Sequence, residues 1–441
     1  MKLRLILVIW LSLTISLSAQ DLFESAIVEG DQLSSSNYEL NGHLRAVIFG
    51  GKTDNKNEAE IKSSYGEAGL KLRLRQQHFG DAFAEIRFRK GQEFNQSLSE
   101  VNLREAFVNV YLGKFDLRIG HQIVVWGRAD GFNPTDNITP KNMLVRSPDE
   151  DERREGSFVL RSFYNSQLLR LEAIWAPVFT PSVLPIDVVE LPEGVAFGSA
   201  HYPDANIKNG SVALKLNLIS PSFEASLSYF NGYYPLPGID MTEPRFSVSG
   251  VRFELIPRPY RMHIIGSDFA TTAGSYGLRG ELAYRKALND YRKQIYIPNP
   301  DFQWVAGVDR EIGDFSIVLQ YIGRYVADFT EKKSPVNPFE LPAFEVEMKN
   351  RLFASQLHRL SHAVSFRSAV NLLHQTLKLE FAGICNFTTE ETLFRPKITY
   401  LLADAMQMTL GGEIYRGSDD TLFGLVDDLL SAIYFEMKLS F

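Results

Sequence analysis

The sequence has little of what marks several common protein classes. It contains one cysteine, Cys385, in 441 residues, which excludes an intrachain disulfide framework and any cysteine-rich zinc module. Beyond the N-terminal segment, no run approaches ~18 consecutive apolar residues, so the sequence predicts no transmembrane helix. Positive charge is not in excess either. The 46 Lys and Arg residues against 53 Asp and Glu argue against a general nucleic-acid binder.

Apolar and aromatic residues are plentiful, at 45% and 12% of the chain. This content is too high for a disordered protein, whereas a mean hydropathy of −0.12 is too low for a helical membrane protein. The length suits several soluble domains or one large barrel. Composition therefore leaves a soluble multidomain protein or an outer-membrane β-barrel, whose individual strands are only weakly hydrophobic.

The N-terminus has the pattern of a secretory signal peptide. Lys2 and Arg4 precede the apolar run 5–13, and small residues at 16–19 provide a cleavage site. The apolar run is too short for a membrane anchor, which needs ~20 residues. We expect a signal peptide at 1–19 and a short periplasmic lead-in at 20–37.

The last eleven residues alternate strictly between two faces of a strand. One face carries Ile433, Phe435, Met437, Leu439 and Phe441. A closed barrel needs its last strand to pair with its first, and its outer face must be apolar. A terminal Phe441 on such a strand resembles the C-terminal signature of bacterial outer-membrane barrels, which the barrel-assembly machinery recognises. The alternative interpretation is an edge strand of a soluble sandwich.

The same alternation recurs in segments of about ten residues, the length of a barrel strand. Residues 210–218 place Val212, Leu214 and Leu216 on one face, with Lys215 and Asn217 on the other. The pattern predicts an all-β fold: an antiparallel transmembrane β-barrel of about eighteen strands (16–20) spanning residues 38–441. The strands are expected near 38–50, 66–77, 82–90, 102–112, 115–126, 157–166, 168–176, 210–219, 223–232, 258–271, 276–286, 302–311, 315–326, 361–373, 376–388, 392–402, 406–416 and 431–441.

Tight and long connections alternate between these segments, as short periplasmic turns and long extracellular loops do in outer-membrane barrels. Two further stretches, 246–256 and 350–360, also look strand-like, and we interpret them as extensions of their neighbours or parts of loops. The long connections are expected at 50–65, 90–100, 127–156, 177–209, 233–257, 287–301, 327–349 and 417–430.

Basic residues are concentrated on the inferred lumen face of two neighbouring strands, 66–77 and 82–90. One interpretation is a pore that attracts anionic solutes, because rings of Arg or Lys favour anions. The other is a cross-strand ladder of salt bridges that only makes the lumen rigid. The lumen candidates from the strands are Arg73, Arg75, Arg87, Arg89 and Arg118.

The connection 127–156 is the most distinctive of the long ones. It opens with turn-forming Gly, Asn-Pro and Asp residues and ends in a run of both charge signs at 149–155. Folded into the lumen, it would form a constriction; as a surface loop, its acidic run would meet cations at the lipopolysaccharide layer. The constriction candidates are Trp126, Arg128, Asp130, Asp136, Arg153 and Arg154.

The order Arg118-Ile-Gly-His-Gln122, followed by Val-Val-Trp126-Gly-Arg-Ala-Asp130-Gly-Phe-Asn133-Pro and then Asp149-Glu-Asp-Glu-Arg-Arg154, resembles a motif in a poorly characterised family of porin-like outer-membrane proteins. Members often accompany exporters of the resistance-nodulation-division type. The wider alternation is similar in general form to alginate-export and fatty-acid-transport barrels. The resemblance lies around 104–176 and implies a barrel and transport, without indicating a substrate.

Catalytic and metal-binding motifs are missing or incomplete. The sequence has no G-x-S-x-G, and His358 and His362 lack a third ligand or an H-E-x-x-H pattern. We therefore expect that the protein binds no metal and no cofactor and is not an enzyme. A barrel hydrolase with a site assembled from scattered Ser, His and Asp residues stays open as a second alternative.

These observations predict a passive diffusion channel of the bacterial outer membrane for small polar solutes. If the lumen arginines form a pore that attracts anions, these solutes would be anionic. Its partners would be outer-membrane lipid, lipopolysaccharide and the barrel-assembly machinery, and the resemblance adds an exporter of the resistance-nodulation-division type. The alternative is a loop-gated conduit for hydrophobic or amphipathic molecules. It would need an apolar pocket formed in 177–209 by Phe179, Val183, Leu184, Ile186, Val188, Val189 and Leu191.

Overall fold

The structure is a computed structural model that describes residues 37–53, 56–76, 79–186, 191–248 and 250–441. The expected signal peptide and residues 20–36 of the expected lead-in lie outside the described residues. Residues Leu40–Phe441 form one structural unit.

Among the described residues, eighteen strands form one closed antiparallel barrel, as the alternation predicts. Neighbouring barrel strands follow one another along the chain, and the last strand pairs with the first from His43 with Ser440 to Gly50 with Ile433. Phe441 extends this ladder, because its N–H donates to the carbonyl of Gly42 at 3.0 Å. The sheet therefore closes on itself, which satisfies the backbone groups that an open edge would expose to lipid.

The strands of the chain are numbered in order, and all except β8, β11, β12 and β13 belong to the barrel. They are β1 (Tyr38–Thr53), β2 (Lys56–Gln76), β3 (Gly80–Glu93), β4 (Gln96–Leu112), β5 (Phe115–Gln122), β6 (Ser157–Asn165), β7 (Leu169–Ala176), β8 (Val195–Phe197), β9 (Ser211–Ile219), β10 (Phe223–Tyr233), β11 (Gly238–Met241), β12 (Arg245–Ser247), β13 (Gly250–Arg258), β14 (Arg261–Ala273), β15 (Tyr276–Ala287), β16 (Asp301–Ile312), β17 (Phe315–Val326), β18 (Leu360–Leu372), β19 (Leu377–Asn386), β20 (Glu391–Ala403), β21 (Met406–Arg416) and β22 (Ala432–Ser440).

Alternation along each strand decides which side chains meet lipid and which line the interior. On β9, Val212, Leu214 and Leu216 are 45%, 48% and 43% exposed, whereas Lys215 between them is 6% exposed. Apolar side chains thus cover the outside, and charged side chains pack inside. This distribution is that of a barrel embedded in an outer membrane.

The two ends of the barrel differ. At one end the strands are joined by tight turns, in which Gly113, Gly274 and Gly313 have positive φ angles of 68°, 63° and 60° that favour glycine. The long connections lie at the other end. We name these the short-turn end and the long-loop end; in outer-membrane barrels they face the periplasm and the exterior, respectively.

Several long loops carry structure of their own. Within the described residues, β13 pairs with β8, β11 and β12 in a small separate sheet. Helix α1 (Leu341–Phe353) joins it through Asn350, whose amide exchanges hydrogen bonds of 2.8 and 2.7 Å with the backbone of Ile239. Helix α2 (Leu422–Leu430) lies between β21 and β22. None of the helices in the described part of the chain has the length and apolar character to cross a membrane.

Some expected boundaries were wrong. The connections expected at 50–65 and 90–100 are largely strand, since β1 continues to Thr53, β2 begins at Lys56, and β3 and β4 are separated only by Phe94 and Asn95. The strand expected at 115–126 ends at Gln122. Of the two strand-like stretches, 246–256 belongs to the small separate sheet, whereas 350–360 begins within α1.

Candidate functional site

The connection between β5 and β6, residues 123–156, folds into the barrel, and we call it the constriction loop. The N–H of Ile123 donates to Glu105 on the inner face of β4 at 2.9 Å. Val124 and Trp126 are buried in an apolar cluster with inward side chains of β6, β7, β9, β10, β14 and β15. That cluster explains why the alternation continues to Trp126 although the strand ends at Gln122: one face of the segment still packs inward.

The first part of this loop, residues 127–137, docks on β15. The carboxylate of Glu281 accepts hydrogen bonds from the N–H groups of Arg128 and Ala129 at 2.5 and 2.6 Å. It also accepts one from the hydroxyl of Thr135 at 2.9 Å. A single inward carboxylate thus binds two turns of the loop. We call residues 127–137 the outgoing limb.

Side chains of the outgoing limb extend this docking to neighbouring strands. The guanidinium of Arg128 pairs with the buried carboxylate of Asp268 on β14. Asp130 pairs with Arg367 on β18 at 3.1 Å. Phe132 packs against an apolar cluster of inward residues from β16, β17 and β18, namely Val305, Ile322 and Ala363.

The rest of the loop, residues 138–156, docks elsewhere, and we call it the return limb. Glu152 lies 3.3 Å from a guanidinium nitrogen of Arg45 on β1 and 3.7 Å from one of Arg104 on β4. It also pairs with Arg87 on β3. Burial alone would raise the pKa of Glu152, but the guanidinium groups of Arg45 and Arg87 lower the pKa of that carboxyl to about 2. Glu152 is therefore ionised at neutral pH.

Arg146 fixes the middle of the return limb. Its side chain is almost fully buried, and its guanidinium lies 4.7 Å from the ring centre of Phe49. The same group donates to the carbonyl of Leu430 at 2.8 Å and pairs with Glu413 at 3.4 Å. Leu430 ends helix α2, so a cation meets the negative end of the helix dipole. Sequence analysis did not select Arg146, because neither neighbour, Val145 nor Ser147, gives it a charged or motif context.

The two limbs are held on opposite walls. In the described ring of eighteen strands, nine steps from strand to strand separate β2 from β15, which is half the circumference. Glu281 on β15 holds the outgoing limb, whereas Arg45 and Arg87, on the two neighbours of β2, hold Glu152 of the return limb. The constriction loop therefore crosses the barrel interior and narrows any path through it.

Two of the arginines expected in the lumen lie in a network of paired charges. Arg89 contacts Glu67 at 3.2 Å and Glu93 at 3.1 Å, and Arg87 contacts Glu85 at 2.6 Å. These side chains are buried on the inner face of β2 and β3. Their arrangement is the salt-bridge ladder of the second charge hypothesis, with Glu152 of the loop added to it.

Three candidates brace the constriction loop internally. Arg154 pairs with Asp136 at 2.5 Å, and Asp136 accepts a hydrogen bond from the backbone N–H of Trp126 at 3.3 Å. Arg153 donates to the carbonyl of Val145 at 3.2 Å. The loop therefore keeps its outgoing and return limbs in register through Arg154 and Asp136.

Other arginines lie toward the short-turn end and stack on phenylalanine rings. Arg73 lies 5.5 Å from the ring centre of Phe83, and Arg118 lies 4.3 Å from that of Phe107. Arg170 lies 4.3 Å from the ring centre of Phe163. In the described part of the chain, no carboxylate lies within ion-pair distance of these three arginines. We call these six residues the arginine–phenylalanine wall; Arg75 is exposed on the same face of β2 as Arg73.

The segment proposed to form an apolar pocket has other contacts. Phe179 packs against Tyr202 and Tyr233, with ring centres 5.8 and 5.4 Å apart. Val183 pairs with Asn142 of the constriction loop. Val188 and Val189 lie outside the described residues. In its described part, the segment braces the constriction loop from the long-loop end.

Known proteins resemble this chain in structure but not in sequence. No protein-family model matches the sequence, and the search of curated proteins finds no match. Solved structures do resemble it. OccAB4 of Acinetobacter baumannii is 10% identical, with a TM-score of 0.54 over 92% of this chain and 98% of that chain.

Two structures from Pseudomonas aeruginosa give similar values. OpdL is 11% identical, with a TM-score of 0.53 over 92% of this chain and 99% of that chain. OccK9 (OpdG) is 8% identical, with a TM-score of 0.54 over 92% of this chain and 98% of that chain. Sequence identities this low support similarity of the fold alone. The structural similarity covers nearly the whole of each chain. The chain thus shares the overall fold of these three proteins.

Proposed function

We propose that this protein is a porin-like channel of the bacterial outer membrane through which small polar solutes diffuse passively. The observation that carries the proposal is the constriction loop, which spans the interior from Glu281 on β15 to Arg45 and Arg87 on the opposite wall. A wall of about eighteen strands encloses a lumen wide enough for an aqueous channel, so the loop determines what passes. Such transport needs no cofactor, and the porin fold gives the hydrolase alternative no support.

Planar-bilayer recording tests the proposal. The refolded chain without residues 1–19 should give stable conductance steps, and deletion of residues 131–150 should enlarge them, because that deletion removes most of the constriction. A folded barrel that gives no steps in either form would contradict a diffusion channel. That result would favour the alternative function, a loop-gated conduit for hydrophobic or amphipathic molecules. Phe179 and its tyrosine neighbours would supply apolar contacts for such molecules.

We further propose that the channel prefers anions. The support comes from the arginine–phenylalanine wall, where guanidinium groups line the short-turn end without carboxylate partners in the described residues. A guanidinium left unpaired in a pore attracts anions, whereas the paired Arg87 and Arg89 contribute little net charge. The preference should therefore depend on Arg73 and Arg118, and much less on Arg89.

Partners are proposed from the sequence and the outer surface. Lipid and lipopolysaccharide would cover the apolar exterior, and the barrel-assembly machinery would bind β22 together with Phe441, which follows it. An exporter of the resistance-nodulation-division type is proposed from the motif at 118–134 and 149–154 alone. Co-purification from cross-linked membranes tests it, and recovery of the barrel without any exporter would count against it.

A further inference from the structure

Glu281 binds backbone N–H groups and a hydroxyl group of the constriction loop. Its side chain is buried, yet no Arg, Lys or His in the described residues lies within ion-pair distance of it. Both carboxylate oxygens are used by the constriction loop. Oε1 accepts from the N–H groups of Arg128 and Ala129, and Oε2 accepts from the hydroxyl of Thr135 at 2.9 Å and from its N–H at 3.4 Å.

The loop is shaped to receive this carboxylate. Successive backbone N–H groups in a turn form a concave site for an anion. Gly127 precedes them with a φ of 102°, a conformation that favours glycine. A Cβ at Gly127 would lie 2.6 Å from Oε1 of Glu281. Glycine at this position thus allows both the backbone conformation and the close approach.

Loss of this contact would leave the barrel wall intact. Glu281 points inward from β15, whose ladders to β14 and β16 use backbone groups. The return limb has separate attachments on the far wall, through Glu152 and Arg146. Without the Glu281 carboxylate, the backbone of the outgoing limb would have no acceptor on β15. The limb would keep the hydrogen bond from the guanidinium of Arg279 to the carbonyl of Arg128, at 3.2 Å, and side-chain contacts such as Arg128 with Asp268.

We infer that Glu281 is a positioning residue that latches the outgoing limb across the lumen and so sets the aperture of the channel. The inference rests on the proposed channel function for its consequence, but the latch itself is a structural relation that can be measured without ion flow. Glu281 affects the aperture only through the position of the loop, which it holds by accepting hydrogen bonds from the loop backbone.

Two readouts test the latch. In planar bilayers, Glu281→Gln and Glu281→Ala should each raise single-channel conductance, by roughly twofold for the alanine variant, because the path widens. Separately, Ala129→Cys in a Cys385→Ser background reports docking through its rate of maleimide labelling in the folded barrel. Adding Glu281→Gln should accelerate that labelling. Glu311→Gln is the control, since Glu311 is exposed near the short-turn end of β16.

The outcomes separate the latch from the channel. Faster labelling with no conductance in any form would support the latch and contradict the channel. Unchanged labelling and unchanged conductance in a folded Glu281→Ala barrel would overturn the latch, while wild-type conductance would still support the channel. Heat-modifiable mobility in gels confirms folding of each variant before either readout.

Discussion

The phenol of Tyr65 on β2 donates a hydrogen bond to the backbone carbonyl of Arg146 in the constriction loop, at 2.7 Å. Tyr65 is buried, and the guanidinium of Arg89 lies 4.1 Å from its ring centre. Wall and loop therefore share one polar network. The position of the return limb depends on strand register as well as on contacts within the loop.

Replacing Tyr65 with Phe should destabilise the folded barrel by about 0.5–1.5 kcal/mol, the usual net contribution of one hydrogen bond. The ring and its contact with Arg89 would remain, so the change isolates the hydroxyl. Urea unfolding in detergent micelles measures the difference. Tyr400→Phe is the matched control, since Tyr400 is exposed on β20. Equal stability of the two variants would show that the hydrogen bond does not hold the loop.

Glu152 makes the docking of the return limb sensitive to strong acid only. Its pKa is about 2, below the value of about 4.3 expected for an unfolded chain. A carboxyl with a depressed pKa contributes stability that is fully present above the unfolded value and is lost as the pH falls through the folded value. Conductance should therefore stay constant from about pH 7 to 5 and change below about pH 4.

Glu152→Gln provides the control for this pH dependence. The amide cannot ionise, so the acid step should disappear, and weaker docking should already be visible at neutral pH. Conductance recorded at a series of pH values measures both effects. An acid step in the wild-type protein between about pH 7 and 5 would show that another group controls the loop.

The barrel strands could be predicted because membrane burial imposes a period of two on them. All eighteen expected segments coincide with strands of the described barrel, including 210–219 at β9 and 431–441 at β22. Errors arose where that constraint ends. The extensions of β1 to β4 toward the long-loop end were taken for loops. Near the turn after β3, both Lys90 and Gly91 are exposed, so the alternation is lost.

The interior could be predicted only in part, because its contacts join distant segments. The turn residues and mixed charges of 127–156 distinguished this connection, but they left open whether it forms a constriction or lies at the surface. Arg128 and Glu152 bind residues that lie more than 60 positions away in the sequence, and the strand register decides which residues these are. The period of two places Glu281 on the inner face of its strand, but neither Glu281 nor Arg146 lies in a local motif that indicates what it binds. The packing of Trp126 likewise depends on residues from six strands.

Charge reversal in the arginine–phenylalanine wall should change ion selectivity. Arg73→Glu combined with Arg118→Glu replaces two unpaired cations by anions, so the reversal potential in a salt gradient should shift toward cation preference. Arg310→Glu is the control, because Arg310 lies at the same end of the barrel on the outer face of β16, beside Tyr276. An unchanged reversal potential in the double variant would contradict an anion-selective wall.

Closure of the barrel leaves no room for a side chain at Gly42. A Cβ there would lie 2.5 Å from the ring of Phe441 and 2.7 Å from the carbonyl oxygen of Gly69. The ring can turn away, but the carbonyl belongs to the backbone of β2, so Gly42→Ala must displace a strand, at a cost of about 1–3 kcal/mol. Gly50→Ala on the same strand is the matched control, since its Cβ would meet the nearest atom at 3.6 Å. The yield of heat-resistant folded barrel should fall for Gly42→Ala and stay normal for Gly50→Ala. Equal yields would mean that β1 can shift against β2 without loss of closure.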